Sequence, residues 1–176
     1  MALEKWNFDT QHSSIGFKVR HMMVSKVRGR FPKWSGTLEI DEANPGASKI
    51  EVSIDVASID TQEPQRDAHL RTGDFFEIEK FPTITFKKTA AERVSGDKFK
   101  LTGDLTIRGV TKSITLDVEH NGRASHAQMG ENTGYSAHGS LSRKDFGLVY
   151  NMALEAGGVV ISDNVDLEIE IEATKA

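Results

Sequence analysis

The chain has 176 residues, a formal net charge of −4, 38% hydrophobic residues and nine Phe. That is the length of one domain with enough apolar side chains for a core, which excludes general disorder. The acidic balance excludes nucleic acid as the main partner, because phosphate binding needs a basic field, and the lack of any cysteine excludes disulfides, thiolate catalysis and cysteine zinc sites.

In chain order, Met1-Ala-Leu-Glu-Lys-Trp6 holds neither the apolar stretch nor the cleavage site of a secretory signal. No window approaches the roughly 18 apolar residues of a transmembrane segment. The expectation is a cytoplasmic protein, or a periplasmic one if the chain is a processed form.

Residues 14–21 alternate, with Ile15, Phe17, Val19 and His21 on one face and Lys18 and Arg20 on the other. Residues 26–41 start with Val27, Gly29 and Phe31 in phase and continue with Trp34, Gly36, Leu38 and Ile40 in the opposite phase. The switch at Phe31-Pro32-Lys33 predicts a β-bulge that bends one long strand, as closing a barrel requires. Lys18, Arg20, Lys26, Arg28, Arg30 and Lys33 gather in these two segments; they read as a solvated face near one barrel end.

A loop at residues 42–46 precedes an alternating strand at 50–56 that puts Ile54 inward. Residues 64–72 break the beat, open on Pro64 and are followed by Gly73, which predicts one short helix. Strands follow at 83–90 (Ile84 and Phe86 inward), 98–108 (Phe99, Leu101, Leu105 and Ile107) and 111–120 (Ile114, Leu116 and Val118). Arg108-Gly109-Val110 marks a tight hairpin between the last two. Residues 121–132 read as a polar loop, 135–141 as a strand rich in small residues, and 165–174 as a last strand with Asp166, Glu168, Glu170 and Glu172 facing water. The sum is all-β: about eight antiparallel strands and one short helix in a single domain spanning residues 1–176, the composition of a lipocalin-like barrel.

Four local signatures run along this framework. They are Trp6-Asn-Phe-Asp9-Thr-Gln-His12-Ser13-Ser-Ile15-Gly-Phe17-Lys-Val19-Arg-His21; Arg66-Asp67-Ala-His69-Leu70 with Asp74-Phe75-Phe76 and Phe81-Pro82-Thr-Ile84-Thr-Phe86; Gly103-Asp104-Leu105-Thr106-Ile107-Arg-Gly109-Val110-Thr111; and Ser142-Arg143-Lys-Asp145-Phe146-Gly147-Leu148. In content and order they resemble the YceI-like family of bacterial polyisoprenoid-binding proteins. Trp34 and Lys87 depart from it, standing where that family would have Phe and Ser. The resemblance implies an extended eight-stranded antiparallel barrel, frequent homodimerisation, and an elongated cavity for an isoprenoid or similar long-chain lipid.

The inward set is Phe17, Val19, His21, Phe31, Leu38, Ile40, Ile54, Phe76, Phe86, Leu105, Ile107, Leu116 and Phe146. It lines a tunnel or fills a core; periodicity alone favours the filled core, since small barrels are usually packed, and the resemblance favours the tunnel for at least part of the lumen. Arg66, His69 and Arg143 are candidates to meet a lipid headgroup, against the plainer reading that Arg66 and Asp67 tie the helix to the barrel through ion pairs and backbone hydrogen bonds and that Arg143 with Asp145 makes a structural pair.

No cofactor, resident metal or catalytic residue is expected. The six His (His12, His21, His69, His120, His126, His138) form no His-x-x-x-His or His-Glu-x-x-His pair. The expected function is non-catalytic binding of an isoprenoid, such as a quinone precursor, for transport, storage or sequestration. Two alternatives stand beside it: a metal-dependent enzyme built on His21 and His69, and a filled barrel that meets a protein partner.

Overall fold

The computed structural model describes residues 3–22, 24–151 and 160–176, so Met1 and Ala2 of the N-terminal stretch lie outside the described residues. Ten strands are present among them: β1 (Glu4–Phe8), β2 (Ser14–His21), β3 (Ser25–Arg30), β4 (Trp34–Ile40), β5 (Lys49–Asp55), β6 (Thr83–Ser95), β7 (Lys98–Ile107), β8 (Val110–His126), β9 (Gly130–Ser142) and β10 (Ile161–Lys175). Their pairings are antiparallel. The order β1-β4-β5-β6-β7-β8-β9-β10 is closed by a pairing of β1 with β10, giving the expected eight-stranded barrel. No helix among the described residues is long and apolar enough to cross a membrane.

The other two strands lengthen the barrel without widening it. The free edge of β10 pairs β1 near its C-terminal end (Phe8↔Ala173) and β2 along the rest (Ile15↔Ile169, Val19↔Val165). β3 pairs β2, and β4 pairs β1, so β1 with β2 and β3 with β4 are each one stave broken in the middle. The first break is stitched by Ser13, whose hydroxyl accepts from the Glu172 N–H at 2.9 Å and donates to the Glu172 carbonyl at 3.2 Å. The second falls at residues 31–33, where the phase switch predicts a bend, and it turns both Phe31 and Trp34 into the interior. β1 has no counterpart in the sequence reading. Of its five residues only Trp6 is buried, too short a pattern to stand out.

Residues 121–132 correct an expectation. They are not a loop: β8 continues to His126 and β9 starts at Gly130, paired from His126↔Gly130 onward. Every residue from 121 to 126 is exposed and the two paired segments carry no large apolar side chain, so their hydrogen bonds form without apolar alternation. β6 also runs beyond the expected residue 90, because an irregularity between Lys88 and Ala90 resets its phase and brings Ala91 and Arg93 inward. The predicted tight hairpin is present, with Arg108 at φ 51° and Gly109 at φ 74° between Ile107 and Val110.

Between β5 and β6 the chain crosses one end of the barrel. There it forms α1 (Pro64–Leu70), whose first turn is capped by the Glu63 carboxylate accepting from the Gln65 and Arg66 N–H groups. Val56, Ile59 and Phe75 from this crossing pack with Phe146 and Leu148 into a solid wall.

Candidate functional site

Closing the alternating strands turns their apolar faces inward, and the closed space is not filled. A first cavity of about 420 Å³ occupies the body of the barrel, and a second of about 340 Å³ lies toward α1. Each is within the size range of small-molecule sites, roughly 300–1,000 Å³. The two share Phe17, Phe31, Ile84, Ile107, Leu141 and Leu167, so they meet end to end at a ring of apolar side chains. Leu167, Ile169 and Ile171 of β10 all point inward yet are only half-buried, as walls of a hollow lumen must be.

The expected lumen residues distribute along this path. Leu38, Ile40, Ile54, Phe86, Leu105 and Leu116 line the first cavity; Val19, His21 and Phe76 line the second; Phe17, Phe31 and Ile107 belong to the ring. Phe146 lines neither cavity. It is 1% exposed, inside the packed wall beneath a 3-10 turn at Arg143–Phe146. Phe99, Leu101 and Val118 line the first cavity too, and their alternation already marks them as inward. Tyr135 lines it as well, in phase with Ala137, Gly139 and Leu141, whereas His120 and Tyr150 are not among the expected lumen residues, because their polar atoms make them read equally well as surface.

Arg66, His69 and Arg143 are brought together at the second cavity. Their polar atoms are largely engaged by the protein. Arg66 donates from Nε to the Thr61 hydroxyl at 2.8 Å and from a guanidinium nitrogen to the Thr61 carbonyl at 2.7 Å. Beside it the Thr61 N–H donates to the buried Asp67 carboxylate at 3.0 Å, which ties α1 to the segment that bridges Arg30 through Asp60. His69 Nε2 lies 2.8 Å from Asp74, and its ring meets Phe75 and Tyr150 edge-on.

Arg143 is 3% exposed and donates to the carbonyls of Ser162, Leu148, Tyr150 and Ile161. Burial pushes its guanidinium pKa down, partly offset by Asp163. The expected pairing with Asp145 is corrected: the carboxylate near Arg143 is Asp163 at 3.8 Å, which also meets Lys144 at 3.2 Å. Positions two apart in a helical turn face away from each other.

The far end of the first cavity is bordered by Asp41, Glu42, Arg93 and Asp97, with His120 and Tyr135 on its wall. His120 stacks on Tyr135 at 4.7 Å and has Nε2 2.8 Å from the Thr133 hydroxyl. Burial pushes the Tyr135 hydroxyl pKa up, so at neutral pH it stays a neutral donor. The arrangement is an apolar tunnel with hydrogen-bonding groups near each end.

No carboxylate among the described residues joins His21 and His69 into a metal site. Among the described residues, the His/Cys/Asp/Glu group with converging ligand atoms is Asp9, His12 and Glu172, all within 4.8 Å on the outside of the barrel. These atoms already bond one another: His12 Nδ1 lies 2.7 Å from Asp9 and 3.6 Å from Glu172.

A family model described as "YceI-like domain" matches residues 6–173. Protein YceI of Escherichia coli O157:H7 is 37% identical over 165 residues, covering 94% of this chain and 83% of that protein. The crystal structure of the Campylobacter jejuni YCEI protein superposes with a TM-score of 0.77 at 36% identity, covering 96% of this chain and 95% of that one. A polyisoprenoid binding domain from Saccharophagus degradans, implicated in plant cell wall breakdown, shares the fold with a TM-score of 0.69 at 17% identity, over 98% of this chain and 99% of that one.

Proposed function

Because this chain belongs to the YceI-like domain family, we propose that it is a non-catalytic carrier that holds a long-chain isoprenoid, such as a quinone precursor, in its lumen. The observation that carries this reading is the meeting of the two apolar cavities at one ring, which makes a path suited to a long, slim, greasy chain. The polyisoprenoid named for the Saccharophagus degradans domain fits such a path. Burying a CH₂-sized group is worth about 0.8 kcal/mol, so each isoprene unit gains roughly 4 kcal/mol before ordering costs. A few units reach about micromolar affinity. The stiffness of trans double bonds lowers the entropy lost in a narrow tunnel, and no reacting group is needed.

Native mass spectrometry of gently purified protein, followed by solvent extraction, tests the proposal. One isoprenoid per chain is the expected result, and the same spectrum reads the homodimer that belongs to this proposal. Phe86→Glu, which puts a carboxylate in the first cavity, is expected to empty a folded barrel. A protein that stays empty after incubation with prenyl quinones overturns the carrier reading in favour of a partner-binding one.

A further inference from the structure

One end of the tunnel carries a surface that ligand holding does not require. On the outer face of β2 and β3, Lys18, Arg20, Lys26, Arg28 and Arg30 form a ladder of cations. The lower rungs are ion-paired: Glu168 is shared by Lys18 at 2.8 Å and Arg28 at 2.7 Å, and Asp60 meets Arg30 at 3.5 Å. Arg20 and Lys26 are directly opposite in register, and no ion pair is found for either among the described residues. Two like charges facing each other across a ladder are destabilising, and nothing among the described residues offsets this pair.

The hairpin tip above that pair is apolar and exposed, with Met22 45% and Val24 85% accessible. Met22 sits at φ 50°, a strained position for a side chain that could be replaced by Gly, and its N–H donates to the Val160 carbonyl at 2.8 Å. Arg20, His21 and Val160 line the second cavity, so this tip is part of the rim. Val149, 62% exposed, lies in sequence between Leu148 and Tyr150, whose side chains line that cavity.

We propose that the β2–β3 tip and the adjoining rim of the second cavity dock on the surface of an anionic lipid bilayer. Arg20 and Lys26 meet the phosphates while Met22, Val24 and Val149 enter the boundary beneath the headgroups. The purpose of docking rests on the carrier reading: a prenyl chain then passes between bilayer and tunnel without crossing water. The opposite mouth cannot serve. Its cations are taken: Arg93 is held by the Glu42 carbonyl and the Phe99 ring, and Lys100 meets Asp117 at 3.1 Å, while Asp97 stands beside them. Of the carboxylates near the tip, Glu168, Asp60 and Asp163 are already paired with Lys or Arg.

Co-sedimentation with vesicles of phosphatidylglycerol in phosphatidylcholine, against pure phosphatidylcholine, tests this on the full chain. Binding to the anionic vesicles, lost as salt is raised, is expected. Lys26→Glu and Val24→Asp, neither lining a cavity, should each lower the bound fraction roughly tenfold, whereas Lys49→Glu on β5 makes the same charge change and should not. Isoprenoid content, measured by extraction in parallel, should be equal in all of them. Equal binding to neutral and anionic vesicles, or unaltered binding by both tip variants, overturns docking while normal isoprenoid content leaves the carrier reading standing. Sedimentation velocity covers the other occupant: if Val24→Asp turns a dimer into a monomer with vesicle binding unchanged, the tip meets a second copy of this chain and the proposal fails.

Discussion

Arg143 shows how a single side chain holds one end of the lumen. Its guanidinium stands where the chain turns from β9 toward β10 and collects four carbonyls, of which, among the described residues, only that of Ile161 has a second side-chain donor, Asn151 at 2.7 Å. A Lys there keeps the charge but loses the planar fork, and its donors diverge from one point. Arg143→Lys is expected to lower stability by about 3 kcal/mol, read as a lower urea midpoint at unchanged slope. An unchanged midpoint would mean that the carbonyls have other partners.

The exposed Asp9–His12 pair is a milder case. The hydrogen bond to Asp9 raises the His12 pKa above its ordinary 6.5, and the same bond from His12 lowers Asp9 below 3.8. The pair is therefore fully formed between about pH 3.8 and 6.5. It is lost as pH rises through the raised His12 pKa and as pH falls through the lowered Asp9 pKa. In NMR titration, Asp9→Asn should move the His12 ring midpoint down toward 6.5, with Glu172 holding it slightly above. A midpoint that does not move would show that the pair does not form in solution.

At the scale of elements, glycines decide how wide the tunnel is. Gly29 of β3 faces Phe17 of β2 in register, and a Cβ placed there would come within 2.3 Å of Phe17 Cζ. The far end of the Phe17 ring covers the glycine at the meeting point of the two cavities. Gly29→Ala is expected to lift that ring further into this meeting point, at a cost of about 1 kcal/mol in stability, and to lower retention of a long prenyl chain far more than it lowers the melting temperature. Equal retention would mean that Phe17 finds another rotamer outside the path.

The phase of Val27, Gly29 and Phe31 made this glycine readable as an inward position, and the switch at Phe31-Pro32-Lys33 made the bend readable. The outer ribbon of β8 and β9 was not readable, because residues 121–126 and 130–134 hold no large apolar side chain and so carry no hydrophobic period. α1 announced itself through Pro64 and Gly73, but its tie to Thr61 through Arg66 and Asp67 depends on a crossing whose path no local pattern records.

For the whole molecule, the fold class was legible in alternation, and the hollowness was not. A filled barrel and a hollow one share the same inward residues; what differs is how far apart the closed walls stand, which strand number, stagger and the broken staves set together. The polar ends were half legible: Arg66, His69 and Arg143 emerged from their motifs, whereas His120 and Tyr135 meet only once β8 and β9 pair. The resulting two-chamber plan makes a demand that a single pocket does not. A short prenyl alcohol such as farnesol needs one chamber, while one as long as solanesol must pass the ring of Phe17, Phe31, Ile84, Ile107, Leu141 and Leu167. Leu141 is the half-buried member of that ring on β9, so an added aromatic ring has open space in front of it. Leu141→Phe is therefore expected to abolish solanesol binding and spare farnesol, measured by native mass spectrometry after incubation with each. Loss of both in a folded variant would mean that the chambers act as one site, and retention of both would mean that the ligand does not pass the ring at all.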